Sequence, residues 1–196
     1  MARPGRAEQA AKAFERAVSL MERGRDAAAV TAAEEAKALA PRSGAAREVL
    51  GISLYRSERY REALRELQAY RRITGRLDQN HLIADSHRAL GAPEKALEPA
   101  REAISARIPE EVRVEAALVG AAALADMGRF GEALGLLRAF PSRKDVADTF
   151  ELRLWYVTGD ILERAGRRAE AREEFRRVVR HDPGAFDAAE RLAKLQ

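Results

Sequence analysis

The sequence predicts an all-α protein built by repeating one helical hairpin, and three observations carry that expectation. A small module, a short turn followed by an alanine five residues past its centre, occurs as Gly24…Ala29, Glu58…Ala63, Gly91…Ala96, Gly128…Ala133 and Gly166…Ala171. Successive turns are 34, 33, 37 and 38 residues apart, a period that marks stacked supersecondary units. Apolar residues recur at helical spacing on both sides of each turn, as in Leu50, Leu54 and Tyr55 before Glu58 and Tyr60, Leu64 and Leu67 after it. No segment alternates polar and apolar residues over the length of a strand, so no sheet is expected.

The first hairpin spans residues 8–43: Leu20 precedes the turn at Gly24, Ala29, Ala33 and Ala36 follow it, and Pro41 ends it. The second, 44–76, carries Leu50-Gly51, Leu54, Tyr60, Ala63 and Leu67 and ends at Gly75. The third, 77–111, has Ile83-Ala84, Gly91 and Ala96, with Pro93 at the first position of its second helix, where a missing N–H costs nothing. The fourth, 112–151, has Leu124, Gly128, Phe130, Ala133 and Leu137, and Pro141 shortens its second helix. The fifth, 152–185, runs Trp155, Gly159, Leu162, Gly166, Ala171, Phe175, Pro183. An eleventh helix, 186–196, is expected to turn Phe186, Ala189, Leu192 and Ala193 inward. Its Asp187, Glu190, Arg191 and Lys194 then face water, the polar-backed cap that a repeat array needs. The small residues have a mechanical reason: glycine tolerates positive φ at a helix end, and alanine lets antiparallel helices approach closely. The links at 107–113 and 141–150 interrupt the register and are candidates for mobile or partner-binding loops.

The fifth copy resembles the tetratricopeptide repeat (TPR), a helix–turn–helix unit of roughly 34 residues, with Thr158 and Leu162 in place of the usual leucine and tyrosine. The other copies fit with substitutions such as Arg16, Gly75 and His87, so the resemblance covers about residues 8–196. It implies an α-solenoid, a right-handed superhelix of five hairpins plus the cap, forming a single domain over 1–196. It also implies a non-enzymatic scaffold that binds a protein or peptide along the first helix of each hairpin. The residues this places in the groove are Phe14, Val18 and Met21; Glu48, Ile52 and Tyr55; His81, Asp85 and Arg88; Leu118; and Tyr156, Asp160 and Glu163. Phe14, Val18, Met21, Ile52 and Tyr55 form an apolar strip that could hold an amphipathic helix or could pack against a neighbouring repeat. The carboxylate clamp by which some TPR proteins hold a peptide C-terminus is missing, because Phe14, Val18, Glu48 and Ile52 stand at its positions.

Composition excludes other classes. The 196 residues include 41 alanines, 30 arginines, 5 lysines and no cysteine, which removes disulfides, thiol nucleophiles and cysteine-based zinc sites. A hydrophobic share of 46% argues against disorder. No run of roughly 18 uncharged apolar residues is present, so no membrane span is expected. The charged N-terminal segment lacks a signal core, which points to the cytoplasm. The Arg- and Ala-rich composition looks like a bias toward GC-rich codons, and the family resemblance is taken to imply a bacterial member. The net charge of +4 is mild, with opposite charges interleaved at helical spacing. The Arg172, Arg176 and Arg180 stripe could meet nucleic acid, but Glu170, Glu173 and Glu174 blunt its field, and nucleic-acid binding is disfavoured. Self-association through the apolar strip or a terminal repeat is the other alternative. His81 and Asp85 share a helix face without a third ligand, the serines lack a catalytic context, and the glycines are isolated. Neither catalysis, a metal nor a cofactor is expected.

Overall fold

The computed structural model describes residues 4–140 and 149–195, all helical apart from turns and links. Eleven helices follow one another among the described residues: α1 (Pro4–Glu22), α2 (Asp26–Leu39), α3 (Gly44–Arg56), α4 (Tyr60–Thr74), α5 (Asn80–Ala89), α6 (Pro93–Ser105), α7 (Glu110–Asp126), α8 (Phe130–Arg138), α9 (Thr149–Arg164), α10 (Arg168–His181) and α11 (Ala188–Lys194). They fall into two compact units, residues 1–92 and 93–196. The link expected at 107–113 is short, since α7 starts at Glu110 behind Pro109. The link expected at 141–150, with Pro141, lies mostly outside the described residues.

The five turns are closed in the same way. The residue at the turn centre donates its N–H to the carbonyl three back, and the next residue donates to the carbonyl five before it. These bonds are Gly24 to Met21 and Arg25 to Leu20 (3.0 and 2.9 Å), and Gly166 to Glu163 and Arg167 to Leu162 (2.9 and 2.8 Å). Glu58, Gly91 and Gly128 are bonded alike. This closure needs a left-handed residue at the centre. Gly24, Gly91, Gly128 and Gly166 have φ of 67–75°, and Glu58 takes φ 59° without glycine's freedom. Arg25, Arg59, Arg129 and Arg167 stand at the N-cap position of the helix that follows their turn, and three of them grip the glutamate three positions on rather than the helix's own N–H groups. Arg59–Glu62, Arg129–Glu132 and Arg167–Glu170 are two-pronged pairs of 2.6–2.8 Å. They place a carboxylate in the first helical turn, where the helix dipole favours it.

Packing explains the recurrent small residues. Seven residues before each turn centre stand Ala17, Gly51, Ala84, Ala121 and Gly159, all buried. Their counterparts nine residues after it include Leu67 and Phe175, and the two glycines face these two large side chains. A Cβ on Gly51 would lie 2.6 Å from Leu67 Cδ2, and one on Gly159 would lie 2.9 Å from Phe175 Cε1. Ala29, Ala63, Ala96, Ala133 and Ala171 have no exposed surface. The core of the first unit gathers Ala17, Val30, Leu50, Leu54, Leu67 and Ile83. That of the second gathers Leu124, Leu137, Trp155, Ile161, Phe175, Val178 and Leu195. Between α2, α3 and α4, Glu66 accepts from both Lys37 (2.9 Å) and Arg47 (2.6 Å).

The C-terminal helix differs from its expected register. The chain after Pro183 makes an Asx turn, in which Gly184 N–H donates to Asp182 Oδ1 at 2.9 Å, and Phe186 then adopts φ 55°. The helix therefore starts at Ala188, which rotates its inward face to Ala188 and Leu195, with Leu192 partly buried against the core. Ala189 and Ala193 are exposed, and Phe186 keeps 51% of its surface open. Arg191, expected in water, is turned inward.

Candidate functional site

In the first unit α1 touches α3 and α3 touches α5, so the first helices of successive hairpins form one layer. Phe14, Val18 and Met21 of α1 and Tyr55 of α3 pack against the core cluster, leaving each half-buried rather than fully displayed. Ile52 is half-buried one turn before Tyr55. The Tyr55 hydroxyl donates to Asp85 Oδ2 at 2.5 Å, and Arg88 Nε donates to Asp85 Oδ1 at 3.0 Å. Burial, then the hydrogen bond to Asp85 and its charge, push the Tyr55 pKa well above the usual tyrosine value. Glu48 accepts from Gln79 Nε2 at 2.9 Å, and half-buried His81 lies one turn before Asp85. At the end of this unit the buried Tyr70 hydroxyl donates to Asp78 Oδ1 at 2.9 Å, and Arg76 pairs with the other Asp78 oxygen. Burial and the Asp78 bond raise the Tyr70 pKa strongly.

In the second unit α7 and α9 lie side by side, and their inner faces are laced by charge. Arg153 pairs with Glu115 at 2.5 Å, and Arg164 with Asp126 at 3.0 Å and Asp160 at 3.6 Å. Arg191 of α11 enters the fifth hairpin's inner face. It meets Asp160 Oδ1 at 2.9 Å and donates Nε and Nη2 to Glu163 Oε2 at 3.0 and 2.5 Å. Its guanidinium sits 4.6 Å from the Phe175 ring centroid and 5.6 Å from that of Tyr156. Burial opposes its charge, but the bonds to Tyr156, Glu163 and Asp160 outweigh this and raise its pKa. The Tyr156 hydroxyl donates to Asp187 Oδ1 at 2.6 Å, its ring meets the edge of Phe175, and Phe186 lies across it with centroids 4.5 Å apart.

The family described as tetratricopeptide repeat matches residues 152–195, which hold this socket. Solved structures extend the likeness to nearly the whole chain. A thermophilic TPR protein of Thermus thermophilus has a TM-score of 0.69 at 19% identity, covering 95% of this chain and 98% of that one. One from Parabacteroides merdae has a TM-score of 0.73 at 16% identity, covering 96% and 72%. YrrB, a TPR protein with an unusual peptide-binding site, has a TM-score of 0.62 at 21% identity, covering 92% and 89%. This is a tetratricopeptide-repeat fold. No curated protein matches the sequence.

The TPR hairpins bring together Tyr55, Asp85 and Arg88 in the first unit and Tyr156, Asp160 and Glu163 in the second. Leu118, expected in the groove, is buried in the core between α7 and its neighbours. In the arginine stripe, Arg176 pairs with Glu173, Arg172 is half-buried and Arg180 is exposed, while the neighbouring Arg177 pairs with Glu174. The sequence reading missed Arg191, Phe175 and Asp187 as parts of the inner face. The Asp182-Pro183-Gly184 turn was the available signal: it delays the helix start and moves Arg191 onto the side shared by Ala188 and Leu195. No described helix is long and apolar enough to cross a membrane.

Proposed function

We propose that this TPR protein is a non-enzymatic scaffold that holds a peptide or a segment of a partner protein on the inner layer of its first helices. One observation supports this above others. Within the first unit α1 lies against α3 and α3 against α5, and within the second α7 lies against α9, and these helices carry half-buried aromatic and charged side chains. Such a surface offers apolar anchoring and orienting charge together, as helix-in-groove recognition requires. That YrrB has a peptide-binding site agrees with the proposal.

The test is retention of partners by immobilised wild-type chain, by Met21→Glu/Ile52→Arg and by Arg61→Glu/Arg65→Glu. The first pair alters the inner layer, and the second alters exposed positions on α4. A bound protein should be lost at least about tenfold with the inner-layer variant and kept by the other. A partner lost only with the α4 variant would move the binding surface elsewhere.

A further inference from the structure

The inner face of the fifth hairpin is a built receptor for a guanidinium. Asp160 and Glu163 lie one turn apart on α9 and both grip Arg191, at 2.9 and 2.5 Å. Phe175 and Tyr156 supply ring faces at 4.6 and 5.6 Å. A forked, planar cation can bond both carboxylates while stacking on the rings, whereas a compact ammonium lacks the fork and the flat face. The residue that fills it belongs to α11, the least anchored helix of its unit. It has seven residues, too few to stand alone in water. Only Ala188 and Leu195 of its segment are buried, and the exposed Phe186 at its entry holds a left-handed φ.

We propose that this socket is an arginine-reading site which α11 occupies in the free protein, and that its partner ligand is an amphipathic helix presenting one arginine between two small or apolar residues. Arg191 with Ala188 three residues before it and Leu195 four after it is the pattern the socket accepts. A longer partner helix repeats these contacts and displaces α11 about the link at 182–187. This rests on the scaffold reading above and specifies the partner for one part of the surface.

The probe is a fluorescein-labelled peptide with the sequence of residues 185–195, titrated into full-length protein and followed by anisotropy. The peptide should bind the Arg191→Ala chain at least tenfold more tightly than wild type, because the tethered competitor has lost its guanidinium. A peptide with alanine at the arginine position should bind that chain at least tenfold more weakly. Adding Asp160→Asn/Glu163→Gln to Arg191→Ala should remove binding. Equal affinity for the two chains or for the two peptides, or no binding to either chain, overturns the proposal. Hydrogen exchange on the Arg191→Ala chain guards the result: only residues 185–195 should lose protection. If α9 and α10 lose it as well, Arg191 is a structural staple and the proposal falls. Should the peptide fail while the Met21/Ile52 layer still retains a partner, only this inference is lost; failure of both removes the scaffold reading too.

Discussion

Ser53 and Ser86 stand five residues before their turn centres and are fully buried, with hydroxyl oxygens that have no hydrogen-bond partner. Ala123 occupies the same register position in the fourth hairpin and is equally buried. A methyl is therefore enough there, and a buried unpaired hydroxyl costs roughly 1–3 kcal/mol. Ser53→Ala and Ser86→Ala are expected to leave stability unchanged or raise it by up to about 1 kcal/mol in urea melts; a loss would mean that these hydroxyls are served. Glu58 offers a second residue-scale prediction. A non-glycine residue in the left-handed region costs about 1–2 kcal/mol, so Glu58→Gly should stabilise by about 1 kcal/mol once glycine's extra chain entropy is deducted. The same exchange at an ordinary helical position would destabilise. Both tyrosines of the polar clusters carry a pH consequence. The pKa values of Tyr70 and Tyr55 are raised in the folded state, so the unfolded chain ionises first. The stability they support is complete below the unfolded tyrosine value of about 10 and is lost as pH rises beyond it. Tyr70→Phe should flatten the decline in melting temperature between about pH 9.5 and 11.5.

Among elements, the pairing of α9 with α10 depends on a glycine meeting a phenylalanine. Gly159→Ala forces a carbon to within 2.9 Å of the Phe175 ring. Overpacking of this kind costs typically about 1–3 kcal/mol. Gly159→Ala/Phe175→Leu should recover part of that loss, a coupling that a double-mutant cycle measures directly. Additive losses would show that the two sites do not share a contact. The second and fifth hairpins use this large-against-glycine solution, whereas the first sets Ala17 and Ala33 at the same positions. Such pairings were only partly legible in the sequence. Spacing alone located the small residues, but which side chain each one faces depends on helix rotation about the turn.

For the molecule as a whole, repeat architecture makes stability a matter of neighbours. Phe175→Ala, expected to cost about 3–5 kcal/mol, should strip hydrogen-exchange protection from α9, α10 and α11 and leave that of α1–α4 intact. Equal loss throughout would show cooperativity over the full chain. The hairpins, their turns and the helix count were readable in the sequence because they rest on local rules: 3.6-residue periodicity, left-handed turn centres and small contact residues. Legibility was lower at the site. The family resemblance put Tyr156, Asp160 and Glu163 on one expected face, but their counterpart Arg191 was not expected there, because its direction depends on where α11 begins after the Asp182 turn. Tertiary structure alone decided that Phe14, Val18, Met21 and Tyr55 rest half-buried against the core, that Leu118 is buried, and that the fifth inner face holds its own chain's arginine. Those outcomes depend on which surfaces meet, and the contacts come from residues roughly 30 apart in the chain, beyond the reach of any local pattern.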